Sequence, residues 1–115
     1  MGQGLSIAIE EVRGRCVLRL EGWVDAVTAP ALDREIVQLF DTGRKKLLLN
    51  FLKVDYLGSA GIELLLSASQ KFKAAQGHFA LCSLADRILD VLKAAGFERF
   101  LSIYSNEVDG LKGLE

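Results

Sequence analysis

The stretch Gly58-Ser59-Ala60-Gly61 sets one hydroxyl among small residues, where an apolar run ends and a helical pattern begins. Two chemistries suit a serine at the mouth of a helix. It can cap the first free backbone N–H groups. It can also carry a phosphate, whose charge of roughly −2 would meet the positive end of the helix dipole rather than oppose it. The two are compatible, because a capping serine is exposed at a helix tip. Nucleophilic catalysis is poorly supported, since glycine directly precedes the serine and no GxSxG elbow is formed. His78, the single histidine, follows Gly77 at a strand start and has no positioned partner nearby in sequence. No phosphate-binding glycine loop follows any strand, and Asp25, Asp55 and Glu63 have no metal-ligand spacing. Cys16 and Cys82 lie in two strand-like runs without a CxxC motif and read as free core thiols. No catalytic residue, metal or cofactor is therefore expected.

The elements that must position Ser59 follow from periodicity. Leu5, Ile7 and Ile9 alternate with Ser6, Ala8 and Glu10 as a strand, and Arg13-Gly14 marks a turn. Cys16 to Leu20 forms a second strand with Cys16, Leu18 and Leu20 inward, and Glu21-Gly22-Trp23-Val24-Asp25 is expected to leave the sheet as a loop. Thr28 is expected to cap a helix with Pro30 in its first turn and Leu32, Ile36, Leu39 and Phe40 on its inner face. Gly43 ends that helix, and Arg44, Lys45 and Lys46 follow its negative end. Leu47 to Asn50 is short and apolar, as in a strand covered on both faces, and Leu52 to Gly58 is read as a loop.

The helix from Ser59 carries Ile62, Leu65, Leu66, Ser69 and Phe72 on one face, and Gly77 stops it. Phe79 to Cys82 is the next strand, and Ser83 to Asp86 resembles a capping box before a helix through Ile88, Leu89, Leu92 and Ala95. Leu101 to Tyr104 is the last strand, and Ser105 is expected to cap a final helix. The order ββαβαβαβα implies an α/β fold: a mostly parallel mixed sheet with an antiparallel edge strand and about four helices. Loops at the carboxyl ends of such strands gather functional sites. If the second and third strands are neighbours, Asp25 and Ser59 share one end of the sheet.

Length and charge bound the rest. A chain of 115 residues, half of them hydrophobic, fits a single domain with its own core. Its 14 basic and 15 acidic residues nearly cancel, which argues against bulk binding to nucleic acid. No run approaches a membrane span, Met1 to Gly4 does not read as a secretory leader, and the expected location is cytoplasmic. Leu114-Glu115 is given no weight as native sequence.

Gly22-Trp23-Val24-Asp25 followed by Thr28-Ala29-Pro30, Asn50-Phe51, and Val54-Asp55-Tyr56-Leu57-Gly58-Ser59-Ala60-Gly61-Ile62 together resemble the STAS domain, and within it the bacterial anti-sigma-factor antagonists. Gln76-Gly77 and Leu92 to Phe97 add to the likeness, which covers about residues 5–112 of a single 1–115 domain. The resemblance implies a non-enzymatic binding module. It implies an anti-sigma factor serine kinase that phosphorylates Ser59 and a serine phosphatase that resets it. It implies a partner surface of Trp23, Asp25, Gly58, Ser59, Ala60, Gly61 and Ile62, with monomer and weak dimer both compatible. The chain departs from the family where Gly58 replaces the usual Asp and Ala60 replaces a frequent hydroxyl residue. Those departures keep a second reading open: a STAS scaffold without a phosphoswitch, of the stressosome type or as a partner of a lipid-transport ATPase. A hydrolase using Ser59 is a third reading and lacks a base.

Overall fold

The computed structural model describes residues 4–115; Met1 to Gln3, part of the segment read as lacking a leader, lie outside the described residues. Five strands form one sheet in the order β1-β2-β3-β4-β5. They are β1 (Leu5–Val12), β2 (Arg15–Val24), β3 (Lys46–Leu57), β4 (His78–Cys82) and β5 (Ser102–Tyr104). β1 pairs antiparallel with β2, and every other pairing is parallel. The helices are α1 (Ala29–Asp41), α2 (Ser59–Ala74), α3 (Asp86–Ala94) and α4 (Glu107–Gly113), with a short 3-10 turn at Phe97–Arg99. The expected α/β architecture with its antiparallel edge is the one observed.

The period-two alternation divides the sheet into two faces. Cys16, Leu18 and Leu20 of β2, with Leu47, Leu49 and Phe51 of β3, pack against Leu32 and Ile36 of α1, Leu65 and Phe72 of α2, and Ile88 and Leu92 of α3. Val17, Leu48, Ala80 and Cys82 point the other way and are covered by Leu111 and Leu114. Leu114, which follows Leu111 at helical spacing, is thus a core residue and not a dispensable end. Both cysteines are free and buried, and burial pushes their thiols above their ordinary range.

Several boundaries differ from the sequence expectations. β2 runs on to Val24, and β3 runs on to Leu57, where loops were expected. The polar and glycine residues that interrupt the apolar runs are absorbed by register shifts at Arg19/Glu21 and Gly22/Trp23. Gly58 rather than Ser59 is the N-cap of α2, in extended backbone at ψ 178°, so Ser59 is the first helical residue. Thr28 stands at the N-cap of α1, but its side chain is turned away from the helix and caps nothing. Ser83 adopts a left-handed φ of 62°, which places it outside any capping geometry, and Ala85 precedes α3 without a side-chain cap. Asn106 replaces Ser105 as the cap of α4, accepting from the Asp109 N–H at 2.9 Å. The left-handed residue that ends α2 is Gln76, at φ 61°, ahead of Gly77. The inner face of α2 consists of Gly61, Leu64, Leu65, Ala68 and Phe72, while Ile62, Leu66 and Ser69 sit at its margins.

Candidate functional site

β2 and β3 are neighbours and end level with each other, Val24 opposite Leu57. One hydrogen bond joins the segments that leave them: the Gly58 N–H donates to the Val24 carbonyl at 2.9 Å. The two stretches singled out in the sequence therefore form one surface. The longer β2 and β3 strengthen this placement, because the site grows from paired strand ends.

The first segment is a turn tied to itself. Asp25 Oδ1 accepts from the Val27 N–H at 2.9 Å and from the Thr28 N–H at 3.0 Å. Thr28 Oγ1 donates to the Trp23 carbonyl at 2.7 Å and accepts from the Asp25 N–H at 3.0 Å. These N–H donors, Thr28 foremost, hold the Asp25 carboxyl below its usual range. Asp25 consequently shapes the turn through one oxygen, and Oδ2 makes no hydrogen bond among the described residues. The turn lifts Val27 into solvent, 84% exposed. Val27 closes the Trp23 to Val27 loop that the sequence places at this end of the sheet, and its branched apolar side chain has no periodic place in the core.

The second segment opens α2. Ser59 is exposed, and no side chain caps the helix. The first free N–H groups of α2 therefore stand open around the Ser59 hydroxyl. Ala60 is half-buried beside it. Gly61 is buried: a Cβ there would stand 2.6 Å from Leu57 Cδ1 and 2.7 Å from Val24 Cγ1. Gly61 thus lets the first turn of α2 settle directly onto the ends of β2 and β3. Ile62 is half-buried and borders a groove that also includes Tyr56, Arg87 and Val91. Arg87 of α3 donates to the Asp55 carbonyl and ties α3 to this end of β3.

Trp23 and Tyr56 are paired in register, and their rings meet at a tilt of 39° with centroids 5.0 Å apart. Tyr56 is exposed and Trp23 half-buried, so the Trp23 ring is at once cover for the strand ends and a face open to solvent. The Tyr56 ring reaches over Gly58, where a Cβ would come within 3.0 Å of Tyr56 Cε2. Any side chain at position 58 would thus meet the Tyr56 ring.

Between the starts of α1 and α2 lies a shallow depression whose lining includes Ala26, Pro30, Asp33, Ala60 and Glu63, with no basic residue. Its two carboxylates, with that of Asp25, lie toward α1, while Arg87 lies in the groove toward α3. His78, the single histidine, starts β4, at the opposite end of the sheet from Ser59. Among the described residues no cluster of His, Cys, Asp or Glu could hold a metal ion, and no helix is long and apolar enough to cross a membrane. The chemistry within reach is modification of one exposed hydroxyl and binding through a small aromatic surface flanked by carboxylates toward α1.

A family model described as the STAS domain matches residues 6–110. The chain is 27% identical over 100 residues to BtrV of Bordetella bronchiseptica, assigned as an anti-sigma factor antagonist, covering 87% of this chain and 84% of that one. The fold is similar to the crystal structure of an anti-sigma factor antagonist from Mycobacterium paratuberculosis, with a TM-score of 0.87 at 23% identity over 96% of this chain and 93% of that one. It is also similar to the Bacillus cell fate determinant SpoIIAA solved in the phosphorylated form, with a TM-score of 0.74 at 19% identity over 96% of this chain and all of that one.

Proposed function

The chain belongs to the STAS domain family, and on that premise we propose that it is a cytoplasmic, single-domain anti-sigma-factor antagonist that works by partner switching. Unphosphorylated, it binds an anti-sigma factor that is also a serine kinase, and so frees the sigma factor. Phosphorylation of Ser59 releases that kinase, and a serine phosphatase restores the binding state. The protein is a binding module and a substrate, not an enzyme. The observation that carries this reading is Ser59 itself: an exposed hydroxyl at the first position of α2, joined to the Asp25 turn by the Gly58–Val24 hydrogen bond.

The physics favours a surface switch. A phosphate on Ser59 would sit at an uncapped helix start, where negative charge is stabilised by about 0.3–2 kcal/mol. The helix would persist, and the change would be felt by the partner. Weakening a complex a hundredfold requires about 2.7 kcal/mol. A dianion added within a contact surface supplies that by charge repulsion and by its cost of desolvation. The contact surface in this reading comprises Trp23, Asp25, Gly58, Ser59, Ala60 and Ile62, and Gly61 contributes by seating the helix. Val27 adds an apolar knob, and the carboxylates toward α1 suit a cationic partner face.

The Gly58 departure favours one competing reading, a scaffold that binds constitutively. Without the usual aspartate, and with the Tyr56 ring over the position, a kinase would have to align Ser59 without that acceptor. Capture from native lysate on wild-type, Ser59→Ala and Ser59→Asp baits separates the two. The switch predicts that wild type and Ser59→Ala retain an ATPase of the histidine-kinase-like fold, that Ser59→Asp does not, and that the retained protein with Mg-ATP places phosphate on Ser59. Equal retention by all three baits would establish the scaffold instead.

A further inference from the structure

A notch opens at the edge of the sheet, at the far end from Ser59. β4 begins at His78, but its edge neighbour β5 joins only at Ser102, opposite Ala80. The start of β4 therefore runs past its neighbour. The last turns of α2, the segment Arg99 to Ser102 and the end of α4 enclose a space of about 410 Å³. That lies within the roughly 300–1,000 Å³ range of small-molecule pockets.

Its chemistry is one-sided. Lys73, His78 and Arg99 line it, and no carboxylate does. Neither Lys73 nor Arg99 belongs to an ion pair among the described residues. Lys46, the register partner of His78, adds a positive charge on the adjacent strand. The carboxyl end of α2 would ordinarily repel an anion. Here two carbonyls of its last turn are already occupied: the Gln76 N–H donates to the Lys73 carbonyl at 3.0 Å, and the Gly77 N–H to that of Phe72 at 2.7 Å. Ser102 and Tyr104 bring hydroxyl groups to the same wall. Phe100 borders the space and is 64% exposed as a residue, although its own carbonyl is pinned by Ser69 Oγ at 3.1 Å.

From this combination we infer that the notch binds a small organic phosphate, its phosphoryl group held between Lys73 and Arg99 and its ring laid against Phe100. Guanidinium and ammonium groups together match a dianion, and arginine engages two phosphate oxygens at once. Hydroxyl donors serve the third oxygen, and an exposed aromatic ring offers a flat apolar contact. This site is separate from Ser59 and does not depend on the partner-switching reading. α2 connects the two, with Ser59 at its start and Lys73 in its last turn.

Titration of the isotope-labelled full chain with phenyl phosphate, followed by amide NMR, tests the inference. Inorganic phosphate and benzyl alcohol serve as partial probes. Saturable binding of phenyl phosphate is expected in the millimolar range or tighter, roughly 4 kcal/mol or more. Shifts should centre on residues 69–73, 78–80 and 99–104. Both partial probes should bind more weakly. Lys73→Gln combined with Arg99→Gln should lose at least about tenfold, each single change should lose part of that, and Ser59→Ala should bind as wild type does. The inference is overturned by absence of saturation below about 10 mM, by equal affinity for either partial probe, or by unchanged binding in the double variant.

Discussion

At the scale of single residues, two neighbours on the first turn of α2 face opposite demands. Ser59 is solvent-facing and free of a capping role, so its side chain can change chemistry at little structural cost. Ser59→Asp should leave stability within about 1 kcal/mol of wild type in urea unfolding, because a carboxylate suits an uncapped helix start. A larger loss would show that this hydroxyl supports the fold. Gly61, two positions later, has no such freedom. A methyl group there meets Leu57 and Val24 inside normal contact distance, so Gly61→Ala should cost about 1–3 kcal/mol by overpacking, read as a lower denaturant midpoint with an unchanged slope. The sequence could not separate these roles. It offered a run of small residues, and only the approach of α2 to the strand ends reveals which are small for access and which for packing.

At the scale of elements, α4 is the piece held by charge as much as by packing. Arg19 of β2 reaches Glu107 through both carboxylate oxygens, at 3.0 and 2.8 Å, and Asn50 donates to the same group at 2.9 Å. Arg15 holds the other end, donating to the Leu111 carbonyl at 2.5 Å. The Arg19 guanidinium, followed by Asn50, keeps the Glu107 carboxyl below its usual range. A carboxylate whose folded value lies below its unfolded one stabilises the fold above about pH 4.3. That contribution disappears as pH falls through the folded value. Hydrogen exchange should show α4 amides losing protection on acidification before those of β3, and Glu107→Gln should remove that early step. Asn106→Ala should loosen α4 further by about 1 kcal/mol, through loss of its cap.

None of this was legible in the sequence, which pointed to Ser105 rather than Asn106 as the cap. Arg19 read as an outward strand residue. Its partner lies 88 residues away, beyond any local pattern. The strands and helices themselves were legible because apolar periodicity is local. The ends of β2 and β3 were not, because pairing with a neighbour, rather than composition, keeps Glu21 to Val24 and Leu52 to Leu57 extended.

At the scale of the whole molecule, one core runs unbroken from α1 through α3, and the sole tryptophan sits against Tyr56 at the ends of β2 and β3 rather than within that core. Unfolding in urea should be a single transition in which far-ultraviolet dichroism and Trp23 fluorescence share one midpoint. Separate midpoints would mean that the strand ends melt on their own. The same fluorescence should change when a partner covers the Trp23–Tyr56 pair. The Gly58–Val24 hydrogen bond carries a consequence for exchange between relatives. It makes the two segments proposed to meet the partner a single cassette, held at a common height by the paired strands beneath. A chimera that imports only residues 54–62 would pair a foreign helix start with a native turn that was never fitted to it. Transplanted specificity should follow when residues 22–28 travel with 54–62.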